Sequence, residues 1–113
     1  MRQNYRDLKV AVLGSGTVGS EVVHRLLHER KELGARIGAE LDVVGVAVRD
    51  LSKPRNQDIP SELLTTDADS LIAGADIVVE LMGGIEPAKS LILHALESGA
   101  DVISANKALL AAH

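Results

Sequence analysis

The sequence predicts an α/β fold: a mostly parallel sheet with helices on both faces. Three observations predict it. Short apolar runs rich in Val, Ile and Leu recur along the 113 residues, namely LKVAVLG, LDVVGVAV, ADIVVELM and ADVISA. Helical patterns separate most of them, and strand–helix–strand alternation means a parallel sheet covered on both sides. The apolar mass is also almost wholly aliphatic. Tyr5 is the only aromatic residue, which suits strands buried on both faces.

The elements follow in order. Leu8–Gly14 is short, Val- and Leu-rich, and stops at glycine, so it reads as a buried strand. From about Thr17 to Leu33 the pattern is helical. Val18, Val22 and Leu26 recur every four residues with Val23 and Leu27 beside them, while Glu21, Arg25, Glu29 and Lys31 take other faces. Gly34 is the expected C-cap. Leu41–Val48 is the second strand, and RDLSKPRNQDIP after it is a polar loop with two prolines. Thr65 and Thr66 are assigned to a short edge strand, and Asp67 or Asp69 to the cap of a brief helix through Ile72. Asp76–Leu81 is the next strand, broken by Gly83 and Gly84. Pro87 opens a helix where proline is tolerated. Ala88, Leu91, Ile92, Ala95 and Leu96 form its apolar stripe, and Gly99 is its C-cap. ADVISA is the last strand.

Composition excludes several classes. The chain has no cysteine, which rules out disulfides, thiol catalysis and a cysteine-bound zinc. A net charge of −4 argues against a nucleic-acid partner, which calls for a basic patch. No apolar run approaches the ~20 residues of a membrane span. MRQNYRDLK lacks the apolar core of a signal peptide, so a cytoplasmic protein is expected, with residues 1–113 forming one domain. His24 and His28 have the four-residue spacing of metal ligands, but no third ligand is in evidence. They read as solvated helix surface, and no metal site is assigned.

Between the first strand and first helix stands Gly14-Ser15-Gly16-Thr17-Val18-Gly19, a G-x-G-x-x-G pattern. An apolar strand runs into it and an amphipathic helix leaves it, the context this motif requires. Gly14 permits the tight turn, Gly16 lets the backbone approach a pyrophosphate, and Gly19 lets the helix pack on the strand. The helix N-terminus offers free N–H groups to the phosphates. This points to a Rossmann-type, doubly wound sheet binding a dinucleotide. Arg49 lies at the tip of the second strand, where the adenine ribose is read, and Lys53 and Arg55 follow. A cation there pairs with a 2′-phosphate, so NADP is preferred. Asp50 leaves NAD possible.

Gly83 and Gly84 follow a strand at the carboxyl edge, where ligands bind in such sheets, and would let the backbone approach the nicotinamide-side ribose. An ordinary turn is the competing reading. Glu80, just inside that strand end, is either a ligand contact or a buried acid satisfied by backbone N–H groups. The cofactor-binding set is Gly14, Gly16, Thr17, Val18, Gly19, Arg49, Lys53, Gly83, Gly84 and Ser104. Lys107 lies just past the last strand at the same edge. A cation there can stabilise charge on a carbonyl oxygen and deliver a proton. The alternative is a lysine in the first turn of a terminal helix capped by Asn106, where it would oppose the helix dipole.

VAVLGSGTVGSEVV, VGVAVRDLSKPR, VVELMGGIEPAKSLILHALESG and ISANKALLAAH together closely resemble the nucleotide-binding region of bacterial homoserine dehydrogenases, from about Leu8 to the last residue. The resemblance implies interconversion of L-homoserine and L-aspartate 4-semialdehyde with NADPH or NADH, on the route to threonine, methionine and isoleucine. It implies that Lys107 sits at the active site beside a second lysine and an aspartate from a later domain. Ser104 stands where Thr is more usual and keeps the hydroxyl. The dimerisation, substrate and regulatory regions of that family are absent here. The chain is therefore expected to be an excised cofactor domain, inactive alone, from a homo-oligomeric parent. The alternative is a non-catalytic dinucleotide-sensing module. A sensor would need an attached effector domain and gives Lys107 no role. S-adenosylmethionine would normally want an acid at the second strand tip without Arg49 before it.

Overall fold

Strand β1, Arg6–Leu13, alternates its apolar residues between two cores. Val10 and Val12 face one, with Val23, Leu41, Val43, Val46 and Val48. Ala11 and Leu13 face the other, with Ile72, Val78, Leu91 and Ala95. A strand buried on both sides needs no polar face, which is why its sequence reads as a continuous apolar run. The structure, a computed structural model, describes residues 6–14, 17–49, 51, 59–82 and 86–104.

Helix α1 spans Thr17–His28 and α2 spans Arg30–Ile37. Strand β2 covers Ala39–Ala47. After one 3-10 turn at Ser61–Leu63 come β3, Leu64–Thr65, α3, Ala68–Ala73, and β4, Ile77–Glu80. Helix α4, Ala88–Glu97, leads into β5, Asp101–Ser104. The five strands form one parallel sheet in the order β3-β2-β1-β4-β5. Residues of α1 pack on one face and of α3 and α4 on the other. This is the Rossmann-type arrangement the alternation predicts, and the strand order reverses at β1, between β1 and β4.

One prediction is corrected. Thr17–Leu33 is not a single helix: α1 ends at His28, and Gly34 lies inside α2 instead of capping it. The apolar stripe of α1 runs out at Leu27, so nothing holds the next turns to the same core. Gly38, with φ of +70°, makes the turn into β2.

Strand β2 contains a bulge that periodicity alone does not reveal. Val10 pairs with Val43 but Ala11 pairs with Gly45, leaving Val44 as the extra residue. An inserted residue flips the alternation. Leu41 and Val43 before the bulge therefore share a core with Val46 and Val48 after it. Gly45 leaves room for α3: a Cβ there would lie 2.5 Å from Leu71 Cδ1, so that side chain would have to shift.

The caps of α3 and α4 are well defined. Ser98 closes α4, Gly99 follows with φ of +91°, and the Gly99 and Ala100 amides donate to the Leu96 and Ala95 carbonyls at 3.1 and 3.0 Å. This is a Schellman motif. Ahead of α4, whose N-cap position is Pro87, Glu86 Oε1 accepts from the Ser90 amide at 3.0 Å and from its hydroxyl at 2.8 Å, a cap that the sequence reading did not foresee. Asp67 caps α3, accepting from the Ser70 amide at 3.1 Å. That bond, then the Ser70 side chain, holds the Asp67 carboxyl below its ordinary value of 3.8. A carboxyl depressed by folding stabilises the folded state above its unfolded pKa, and that contribution fades as pH falls through the folded pKa. Asp67→Ala should therefore lower the unfolding temperature slightly at neutral pH and not at all in strong acid. A deficit that stayed constant across the acid range would contradict the capping role.

Candidate functional site

The carboxyl ends of β1, β4 and β5 meet in register: Leu13 lies opposite Glu80, and Glu80 opposite Ser104. The chain leaves β1 through Gly14, whose φ is +100°. Its amide donates to the Ala47 carbonyl at 2.8 Å, and the Leu81 amide donates to the Leu13 carbonyl at 2.9 Å. A Cβ on Gly14 would lie 3.2 Å from both the Leu81 carbonyl oxygen and Met82 Cα. Glycine thus meets two demands at once here, a left-handed backbone and close approach of the β4 exit.

Three residues later α1 begins, with Thr17, Val18 and Gly19 in its first turn and no acidic residue there. No carboxylate in that turn competes for the partial positive charge of the helix N-terminus. A helix N-terminus without a carboxylate in its first turn is compatible with an anion. Arg49 follows β2 and is exposed. It stands two residues beyond Ala47, whose carbonyl receives the Gly14 amide, so the tip of β2 is tied to the glycine turn.

Glu80 is the buried charged side chain among the described residues, at 0 % exposure. Its Oε2 accepts from the Met82 amide at 2.8 Å, and its Oε1 accepts from the Ser104 hydroxyl at 2.6 Å. Of the two readings left open by the sequence, this geometry matches the buried acid, with a hydroxyl as one of its donors in addition to a backbone amide. Sequence reasoning missed the link to Ser104. Its only signal was an acid inside an Ile–Val strand, opposite a hydroxyl once the strands are aligned.

Gly16, Lys53, Gly83, Gly84 and Lys107 lie outside the described residues, as do Asp50 and Arg55. Elsewhere, the His24 and His28 rings stand 4.3 Å apart, and His24 Nδ1 is buried with no hydrogen-bond partner. His24 is thus less solvated than expected, and no group of three or more potential metal ligands occurs among the described residues. Arg25 pairs with Glu21 at 3.4 Å and with Glu29 at 3.2 Å. No helix among the described residues is long and apolar enough to cross a membrane.

The family model for the NAD-binding domain of homoserine dehydrogenase matches residues 14–113. The chain belongs to the homoserine dehydrogenase family. The homoserine dehydrogenase of Corynebacterium glutamicum is 51 % identical over 92 % of this chain, and that of Mycobacterium tuberculosis is 51 % identical over 94 %. The crystal structure of the Staphylococcus aureus homoserine dehydrogenase superposes with a TM-score of 0.85 at 39 % identity, covering 96 % of this chain and 28 % of that one. The chain spans about a quarter of the curated relatives, 24 % of each of the two named. It is the NAD-binding domain of a homoserine dehydrogenase, and its cofactor is a nicotinamide dinucleotide. The dinucleotide sensor weighed above is not favoured, since the named relatives are dehydrogenases.

Proposed function

We propose that this domain holds NADP(H), in preference to NAD(H), for the interconversion of L-homoserine and L-aspartate 4-semialdehyde. The observation that carries the proposal is the Gly14 turn at the β1–β4 switch point, in a chain whose residues 14–113 match this family's cofactor domain. The bound nicotinamide supplies or accepts the hydride. The chain's own residues bind and orient it. The glycine turn and the start of α1 take the pyrophosphate, and the backbone at Gly83 and Gly84 takes the nicotinamide-side ribose. Arg49, with Lys53, takes the 2′-phosphate. Lys107 faces the substrate carbonyl. The parent enzyme acts as a cytoplasmic homo-oligomer in threonine, methionine and isoleucine synthesis, its substrate site completed by chain beyond this domain.

The NADP preference rests on Arg49, an exposed cation at the end of the strand that touches the glycine turn. Fluorescence titration of the chain with NADPH, NADH and S-adenosylmethionine tests it. Arg49→Ala should weaken NADPH binding by about 1.5–3 kcal/mol, the scale of a hydrogen bond to a charged group, and hardly change NADH. Added salt should narrow the gap, because the contact is exposed and screened. Equal losses for both cofactors would refute the 2′-phosphate role, and tight S-adenosylmethionine binding would refute the cofactor class.

A further inference from the structure

We infer that Glu80 is a positioning residue, which through Met82 and Ser104 sets the spacing between the exits of β4 and β5 beside the first glycine of the cofactor loop. This rests on the proposed dinucleotide function and adds a residue to it. Met82, whose amide donates to Glu80 Oε2, is one residue before Gly83, and its Cα lies against Gly14. Glu80 therefore holds the chain as it leaves β4, where the Leu81–Met82 backbone lies against the first glycine of the loop. The opposite carboxylate oxygen receives the hydroxyl of Ser104, the last residue of β5 and three residues before Lys107. One buried side chain thus joins the exits of β4 and β5, and the Met82 backbone it holds lies against the turn out of β1. Glu80 itself is at 0 % exposure, and hydrogen bonds to a group in such surroundings are electrostatically stronger than in water.

The same geometry changes the reading of Ser104. Its hydroxyl is directed at Glu80, so it serves the cofactor through that carboxylate. The Ser104 arm of this network belongs to the nicotinamide half of the proposed site, because β5 lies beyond β4, on the side of β1 away from β2. The adenosine half rests on the glycine turn and the tip of β2.

The test compares two probes on the whole chain: NADPH, and 2′,5′-ADP, which lacks the nicotinamide half. Dissociation constants are measured well below the unfolding temperature of each variant. Ser104→Ala should weaken NADPH roughly 3- to 10-fold, the span of one ordinary hydrogen bond, and leave 2′,5′-ADP unaltered. Ser104→Thr, which keeps the hydroxyl, should recover the affinity. Glu80→Gln, which keeps an oxygen for Met82 and offers an N–H to the serine oxygen, should lose less than Ser104→Ala. If Ser104→Ala lowers only the unfolding temperature, or weakens both probes equally, Glu80 is a packing residue and the inference is wrong. If the unaltered chain binds neither probe, the proposed cofactor function itself falls.

Discussion

Lys107→Ala, made in the full-length enzyme that carries this domain, should lower kcat/KM by about 10²–10⁴-fold, the scale of losing general acid–base help, with NADPH affinity nearly unchanged. Hydride arriving at an aldehyde carbon leaves negative charge on the carbonyl oxygen. An ammonium within hydrogen-bond reach stabilises that charge as it develops and can supply the proton. The β5 strand ends at Ser104, opposite Glu80, and Lys107 follows three residues later in the sequence. A cation serving the carbonyl acts on the transition state and not on the dinucleotide, hence the expected split between turnover and cofactor binding. Single-turnover and steady-state kinetics with both substrates, alongside NADPH titration, decide it. Normal turnover, or a defect confined to NADPH binding, would remove Lys107 from the chemistry.

The second large effect is expected at Gly14. Gly14→Ala forces a Cβ-bearing residue into a backbone with φ of +100°, at about 1–3 kcal/mol for a sparsely populated conformation. The new carbon would also press on Leu81 O and Met82 Cα at 3.2 Å. Both are backbone atoms, which cannot rotate away as a flexible side chain can. Gly14→Val adds bulk to the same contact and should cost a further 1–3 kcal/mol or so, as overpacking does. Against a total stability of about 5–15 kcal/mol for an ordinary domain, the valine variant should unfold at clearly lower denaturant concentration and lose dinucleotide binding. Chemical denaturation and NADPH titration of the three proteins measure both. A valine variant as stable as the parent would mean that the turn relaxes without cost.

The elements that could be read in the sequence were those whose signal is local. Val18, Val22 and Leu26 repeat at helical spacing, the glycine turn stands between an apolar run and that helix, Gly99 ends α4, and Asp67 begins α3. Each depends on neighbours a few residues away, so the α/β alternation and the cofactor class followed from the chain by itself. The helix break at Glu29 was not legible, because Gly34 looks like a cap unless the loss of core contact beyond Leu27 is known. The Val44 bulge was equally hidden: alternation in LDVVGVAV is interpretable only against the register of β1. The same holds for Glu80. In sequence it is an acid at a strand end with two possible fates. Only the parallel pairing of β4 with β5, which brings residues 24 positions apart to 2.6 Å, decided that its carboxylate joins two strand tips. Local pattern specifies which backbone each segment prefers, whereas the partners of a buried polar group depend on strand order and register, which exist only once the sheet has formed.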